Sequence, residues 1–120
     1  MKLNRRQIGS NYEKQAGAFF EQQGFEVLAY NFRCRSGEID IIARKGKHLV
    51  FCEVKYRRND AKGAPLEAVG IRKQRTISKC AMYYATVHGL LHMEIRFDVI
   101  GIQGTDMKWI QNAFDYQGGC

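Results

Sequence analysis

Proline occurs once in these 120 residues, at Pro65, and no apolar run approaches the roughly 20 residues that a membrane-crossing helix needs. The chain therefore reads as neither a proline-rich linker nor a membrane anchor. It has no internal repeat and no low-complexity segment. The basic start, Met1-Lys2-Leu3-Asn4-Arg5-Arg6, is not followed by the apolar core of a secretory signal, so none is expected. Four cysteines are present (Cys34, Cys52, Cys80 and Cys120), but no pair has CxxC spacing. Cys52 and Cys80 sit in apolar patterns and read as free buried thiols, which suits a reducing cytoplasm. Gly63 and Gly70 flank Pro65 without the pattern of a phosphate-binding loop, and no serine occupies a strand-to-helix elbow. His88 and His92 stand four apart, but Gly89 intervenes and no cysteine lies at ligand spacing, so zinc is not expected.

What remains is a folded composition, with 45% hydrophobic and 26% charged residues, of a length that fits one domain over residues 1–120. The net charge is +7, and thirteen of the nineteen Lys and Arg residues fall between Arg33 and Lys79. Such a basic stretch attracts polyanions, nucleic acid first among them; a solvated surface alone would also account for it.

Ser10-Asn11-Tyr12-Glu13 has capping-box spacing, and Tyr12, Ala16, Phe19 and Phe20 follow at helical intervals until Gly24. Phe25 to Phe32, Glu38 to Ala43 and His48 to Tyr56 read as strands, the last two joined by the tight turn Lys45-Gly46-Lys47. The three are expected to form an antiparallel meander. A basic loop from Arg57 to Pro65 then leads into a helix from about Leu66 to Val87. Glu94 to Ile102 is a fourth strand, and Gly104-Thr105-Asp106 turns into a short fifth around Trp109. The order is α-β-β-β-α-β with a small C-terminal addition: an α/β (α+β) fold with a four- to five-stranded mixed sheet flanked by helices.

Acidic groups sit inside two of these apolar strands. Asp40 lies among Ile39, Ile41 and Ile42, and Glu53 among Phe51, Cys52 and Val54. An unpartnered buried carboxylate costs several kcal/mol, so each of these needs a cation, a metal or an opening to solvent. Glu53 and Lys55 share one strand face, and the hairpin register brings Asp40 near Glu53. Two such carboxylates repel unless a cation lies between them. Mg²⁺, which takes oxygen ligands and keeps water and phosphate in its shell, suits that position. An E-x-K triplet alone is common by chance; weight rests on G-E-x-D and E-x-K lying on hairpin partners.

The string Asn31-x-Arg33-x-Arg35-x-Gly37-Glu38-Ile39-Asp40-Ile41-Ile42-Ala43, followed by Leu49-Val50-Phe51-x-Glu53-Val54-Lys55-x-Arg57, resembles the YraN-type bacterial proteins. These are assigned to the PD-(D/E)xK nuclease superfamily and are similar to archaeal Holliday-junction resolvases. The resemblance runs from the helix bearing Glu13 to Arg96-Phe97-Asp98-Val99-Ile100 and implies a restriction-endonuclease-like core. It makes Asp40 and Glu53 ligands of Mg²⁺ (or Mn²⁺), with the Val54 carbonyl as a further ligand and Lys55 as the motif lysine. Glu13 falls where resolvase-like members place another acid, and Lys73 and Gln74 where the superfamily often places a supporting Gln or Lys. A proline is absent before Asp40, where Ile39 stands. Glu38 has two readings, a supporting group of the site or a solvated edge, and Glu13 is also explained as a capping-box residue.

The expected function is Mg²⁺-dependent cleavage of phosphodiesters in DNA rather than RNA, including branched or structured DNA. Arg33, Arg35, Arg57, Arg58, Lys62, Arg72 and Lys73 would hold phosphates. Resolvase relatives act as symmetric dimers, which makes a homodimer an expected partner alongside nucleic acid, with no role for a membrane. A non-catalytic nucleic-acid-binding module on the same fold is the alternative, and a protein-interaction domain a third.

Overall fold

The structure, a computed structural model, describes residues 5–57 and 68–118, with side chains from residue 11 onward. It contains α1 (Arg5–Gln22), β1 (Glu26–Cys34), β2 (Gly37–Lys45), β3 (His48–Arg57), α2 (Ile71–Val87), β4 (Glu94–Gln103) and β5 (Asp106–Phe114). The strands form one mixed sheet in the order β1-β2-β3-β4-β5. The expected antiparallel meander is present, β4 joins β3 in parallel, and β5 returns antiparallel on the outer edge. The α-β-β-β-α-β order and the mixed sheet agree with the sequence, and no helix among the described residues is long and apolar enough to cross a membrane.

Four local expectations need correction. Helix α1 starts at Arg5, so Ser10 lies inside it rather than at its N-cap position. Arg5, Arg6 and Gln7 are good helix formers, and one interior glycine, Gly9, costs only about 1 kcal/mol, too little to end the helix. Helix α2 starts at Ile71, after the non-helical residues 68–70, with Gly70 in extended conformation at its N-cap. Arg57 belongs to β3 rather than to a loop, and the rest of the expected basic loop lies outside the described residues. Cys80 is not a free thiol: it is joined to Cys34 by a disulfide, whereas Cys52 is free and buried.

The sheet separates two apolar layers. Leu49 and Phe51 of β3 meet α2 through Ile77, Ala81 and Tyr84. On the opposite side Val50 and Cys52 meet α1 through Ala16 and Phe20. Side-chain alternation on β3 thus carries Glu53 and Lys55 toward α2, and Val54 and Tyr56 toward α1. Alternation fails at one place on β2. Ile39 and Ile42 join the α2 layer while Ile41 and Ala43 join the α1 layer, so the irregularity falls on Asp40. Glycine is required at two turns, for different reasons. Gly46, at φ 58°, supplies the first central residue of the β2–β3 hairpin. At Gly37 an added Cβ would run into Thr76 of α2, so the turn between β1 and β2 lies tight against that helix.

One buried acid is structural. Asp98 on β4 is 1% exposed and accepts hydrogen bonds from Arg96 Nε and Nη2, Trp109 Nε1 and the Asn112 backbone N–H. It ties β5 to β4 while the Arg96 guanidinium stacks over Phe25 and Trp109. Asp98→Ala leaves a partly buried guanidinium and two N–H donors without their acceptor. A loss of about 3–5 kcal/mol is expected in urea unfolding, as for the removal of one partner from a buried ion pair.

Candidate functional site

Hydrogen-bonded pairing between β2 and β3 runs from Lys45↔His48 to Ile41↔Cys52. At the next position the Val54 N–H donates to Asp40 Oδ2 at 2.8 Å, a side chain taking the place of a strand carbonyl. This fixes Asp40 beside Glu53, which is 8% exposed. Glu38, Ile39, Asp40, Cys52, Glu53, Lys73 and Ile77 line a cavity of about 70 Å³ there. Helix α1 brings Glu13 to the same place, close enough for its charge to act on Asp40.

The electrostatics are those of too many acids in too little water. Burial pushes the Asp40 carboxyl up to about 7, with the charges of Glu53 and Glu13 adding to the shift and the Val54 hydrogen bond and Lys73 opposing it. Glu13 is also raised, first by burial, against a hydrogen bond from Asn31, and then by Glu38. Glu13 Oε2 and Glu53 Oε2 are buried without a hydrogen-bond partner. Lys73 Nζ lies 2.6 Å from Glu53 Oε1. Burial works against the Lys73 charge, but its hydrogen bond to Glu53 and the attraction of Glu53, Asp40 and Glu38 prevail and raise its pKa.

The structure thus brings together Glu13, Asp40, Glu53 and Lys73, with Glu38 on the cavity wall in an exposed ion pair with Arg33 at 3.6 Å. Lys55 shares the face of Glu53 but donates its ammonium to the Ala68 carbonyl, in the segment leading into α2. Gln74 turns its side-chain amide to the Val69 carbonyl at 2.8 Å, so it braces the start of α2 rather than entering the acidic group. Among the described residues no three of His, Cys, Asp and Glu stand close enough to form a preassembled cage. Arg33, Arg35 and Arg72 are exposed around this end of the sheet. Arg57 Nε is buried without a hydrogen-bond partner, and Arg58 and Lys62 lie outside the described residues.

Two features escaped the sequence reading. Asn31 adopts φ 52° inside β1, and its side chain reaches Glu13. Asparagine tolerates the left-handed region better than most residues, but nothing local demanded that conformation here. Tyr12 and Tyr56 stack with ring centroids 4.0 Å apart and an interplanar angle of 18°. Each adjoins a site residue in sequence, Glu13 and Lys55, so the stack sets α1 against β3 where Glu13 enters.

The raised Asp40 pKa has a definite sign. An unfolded carboxyl titrates near 3.8, whereas the folded one holds its proton to about 7. Stability is therefore full below the unfolded value and is lost as pH rises from about 4 to about 7. In metal-free urea unfolding, wild-type protein should be less stable at pH 8 than at pH 5. Asp40→Asn keeps an acceptor for Val54 but never ionises; it should flatten this slope and gain about 1–3 kcal/mol at pH 8.

Comparison with known proteins places the chain. The model of the uncharacterised protein family UPF0102 matches residues 12–102. A UPF0102 protein of Lachnoclostridium phytofermentans is 45% identical over 117 residues, covering 97% of this chain and 99% of that protein. Others in Hahella chejuensis and Syntrophus aciditrophicus are 44% and 43% identical, each over 89% of this chain and over 89% and 87% of their own lengths. The matched region spans the Glu13 helix, the Asp40 and Glu53 strands and Lys73. The chain belongs to the UPF0102 family, the YraN-like group that its motifs resemble.

Proposed function

We propose that the protein is a Mg²⁺-dependent endonuclease acting on DNA, with branched or structured DNA as the favoured substrate. The observation that carries this reading is Asp40, desolvated and held by the Val54 N–H, beside Glu53, whose buried Oε2 has no protein partner. The donor set fits a hard divalent cation. It offers carboxylates on adjoining strands, and Mg²⁺ binds through one or two carboxylates while keeping several waters. Asp40 and Glu53 would hold the ion, with the Val54 carbonyl as a third donor.

When bound, Mg²⁺ supplies polarisation of a phosphate oxygen and a more acidic water. The remaining work falls to side chains of this chain. Glu13 adds negative charge on the α1 side and raises the demand for a cation. Lys73 pairs with the Glu53 carboxylate from the α2 side. Lys55, released from the Ala68 carbonyl, reaches the same face as Glu53 and offsets charge building on the phosphate in the transition state. Arg33, Arg35 and Arg72 offer phosphate contacts around the cavity, and a symmetric dimer would match the two equivalent strands of a junction.

The test is cleavage of linear, flapped and four-way-junction DNAs with and without Mg²⁺. Metal-dependent cutting is expected, and Asp40→Ala, Glu53→Ala and Lys55→Ala should each reduce it by about 100-fold or more, as loss of a transition-state contact does. Cutting that survives Asp40→Ala would refute the assignment. The basic stretch from Arg33 to Lys79 also supports one rival, a non-catalytic nucleic-acid-binding module. That reading gains if DNA binds without cleavage, falls steeply in affinity with salt and is indifferent to Asp40→Ala.

A further inference from the structure

Cys34 closes β1 at the turn into β2, and Cys80 lies in the middle of α2, 46 residues later. Their Cα atoms are 6.1 Å apart, within the range from which a disulfide closes without moving the backbone. The two sulfurs differ in access. Cys80 is fully buried, whereas Cys34 is half-buried and opens into a cavity of about 350 Å³ lined also by Arg33, Arg35, Ser36 and Tyr83. Arg33, which also pairs with Glu38, and Arg35 line this cavity and suit a small carboxylate-bearing visitor, since Arg recognises carboxylates through paired hydrogen bonds.

We propose that Cys34 and Cys80 are a reversible thiol–disulfide couple, oxidised through Cys34 by an anionic low-molecular-weight disulfide such as glutathione disulfide, and that the bond clamps α2 onto the β1–β2 turn. The Cys34 thiolate attacks one sulfur of the visiting disulfide, forming a mixed disulfide and expelling one thiolate. Cys80 then attacks Cys34 Sγ, its thiol proton passing to the second thiolate as that group departs. The protein loses two electrons and two protons, and the visitor is reduced to two thiols. A thiol reductant reverses both steps.

The clamp matters because of what it joins. Lys73, Ile77 and Cys80 recur at four and three residues on one face of α2, so the bond fixes the face that places Lys73 on Glu53. The other end is the turn six residues before Asp40, already tight against α2 where Gly37 meets Thr76. The oxidised protein therefore keeps the Lys73 ammonium on the carboxylate that the proposed metal would use. Reduction frees α2 to withdraw it. This last consequence rests on the metal-site reading; the thiol chemistry does not.

The experiment equilibrates the whole chain in glutathione buffers, quenches with an alkylating agent and maps the bonded peptides by mass spectrometry. A reversible bond between the Cys34 and Cys80 peptides is expected. Both thiols alkylated at every poise, or a bond formed through Cys52 or Cys120 instead, would overturn the proposal. Hydrogen exchange then reads the clamp, and amides around Ile77 to Ala81 should exchange about fivefold or more slowly in the oxidised form, at the lower end of usual coupling strengths. Equal exchange would overturn the clamp. Cys34→Ser, at the more accessible position, should abolish the difference where Cys80→Ser fails to fold. A Mn²⁺ titration of both forms should show affinity about fivefold weaker when oxidised. Binding of equal strength would refute the coupling to the site. Absence of Mn²⁺ binding in both forms would instead count against the nuclease reading, with mass and exchange still deciding the couple.

Discussion

The site depends on one hydrogen bond, from the Val54 N–H to Asp40. It marks the point where β2 and β3 stop pairing through their backbones, and a carboxylate fills the acceptor role a carbonyl would otherwise have. That substitution puts a carboxylate on an inner strand of an apolar sheet, held by a backbone donor. Glu53, one residue before Val54 and facing α2, then has an acidic neighbour by construction. The rest of the site follows as a response to crowded charge: Asp40 holds its proton toward neutrality, Lys73 leans across from α2, and two carboxylate oxygens remain without partners.

The two helices act on opposite sides of this point. Helix α1 delivers more negative charge through Glu13, with Asn31 and the Tyr12–Tyr56 stack holding that end in place. Helix α2 delivers the positive charge, and its position is set by the apolar layer beneath it and by the bond from Cys80 to Cys34. A structure built for stability alone would neutralise such a cluster with apolar replacements, which often cost nothing or stabilise. Asp98 offers the contrast within the same sheet. It is more deeply buried than Asp40, yet every hydrogen bond it needs is supplied by Arg96, Trp109 and Asn112. Asp98 is satisfied and structural, whereas Glu13 and Glu53 each keep a buried oxygen without a partner, the kind of perturbed cluster that marks functional sites.

Much of this was legible in the sequence because periodicity is a strong signal where strands are buried on both faces. Ile39 to Ala43 and Leu49 to Val54 could only be central strands, and the Lys45-Gly46-Lys47 turn made them partners. Hence the proximity of Asp40 and Glu53 followed from register. Features resting on single side chains were not legible. The start of α1 depended on how little Gly9 and Ser10 disturb a run of good helix formers. The Cys34–Cys80 bond joins residues 46 apart, and spacing carries no information about such a pair. Which lysine reaches Glu53 was likewise open: strand alternation put Lys55 on the right face, but its ammonium turns to Ala68, and Lys73 arrives from the helix.

Asp40 and Glu53 are the proposed ligands of a divalent cation. Calorimetric titration with Mn²⁺ near pH 6, in two buffers of different ionisation enthalpy, tests that assignment most directly. The account predicts one carboxylate-dependent binding event that releases about one proton, because Asp40 gives up the proton it holds to about 7. That event should vanish in Asp40→Asn. Heats that are absent in the wild type, or that persist unchanged in Asp40→Asn, would contradict it.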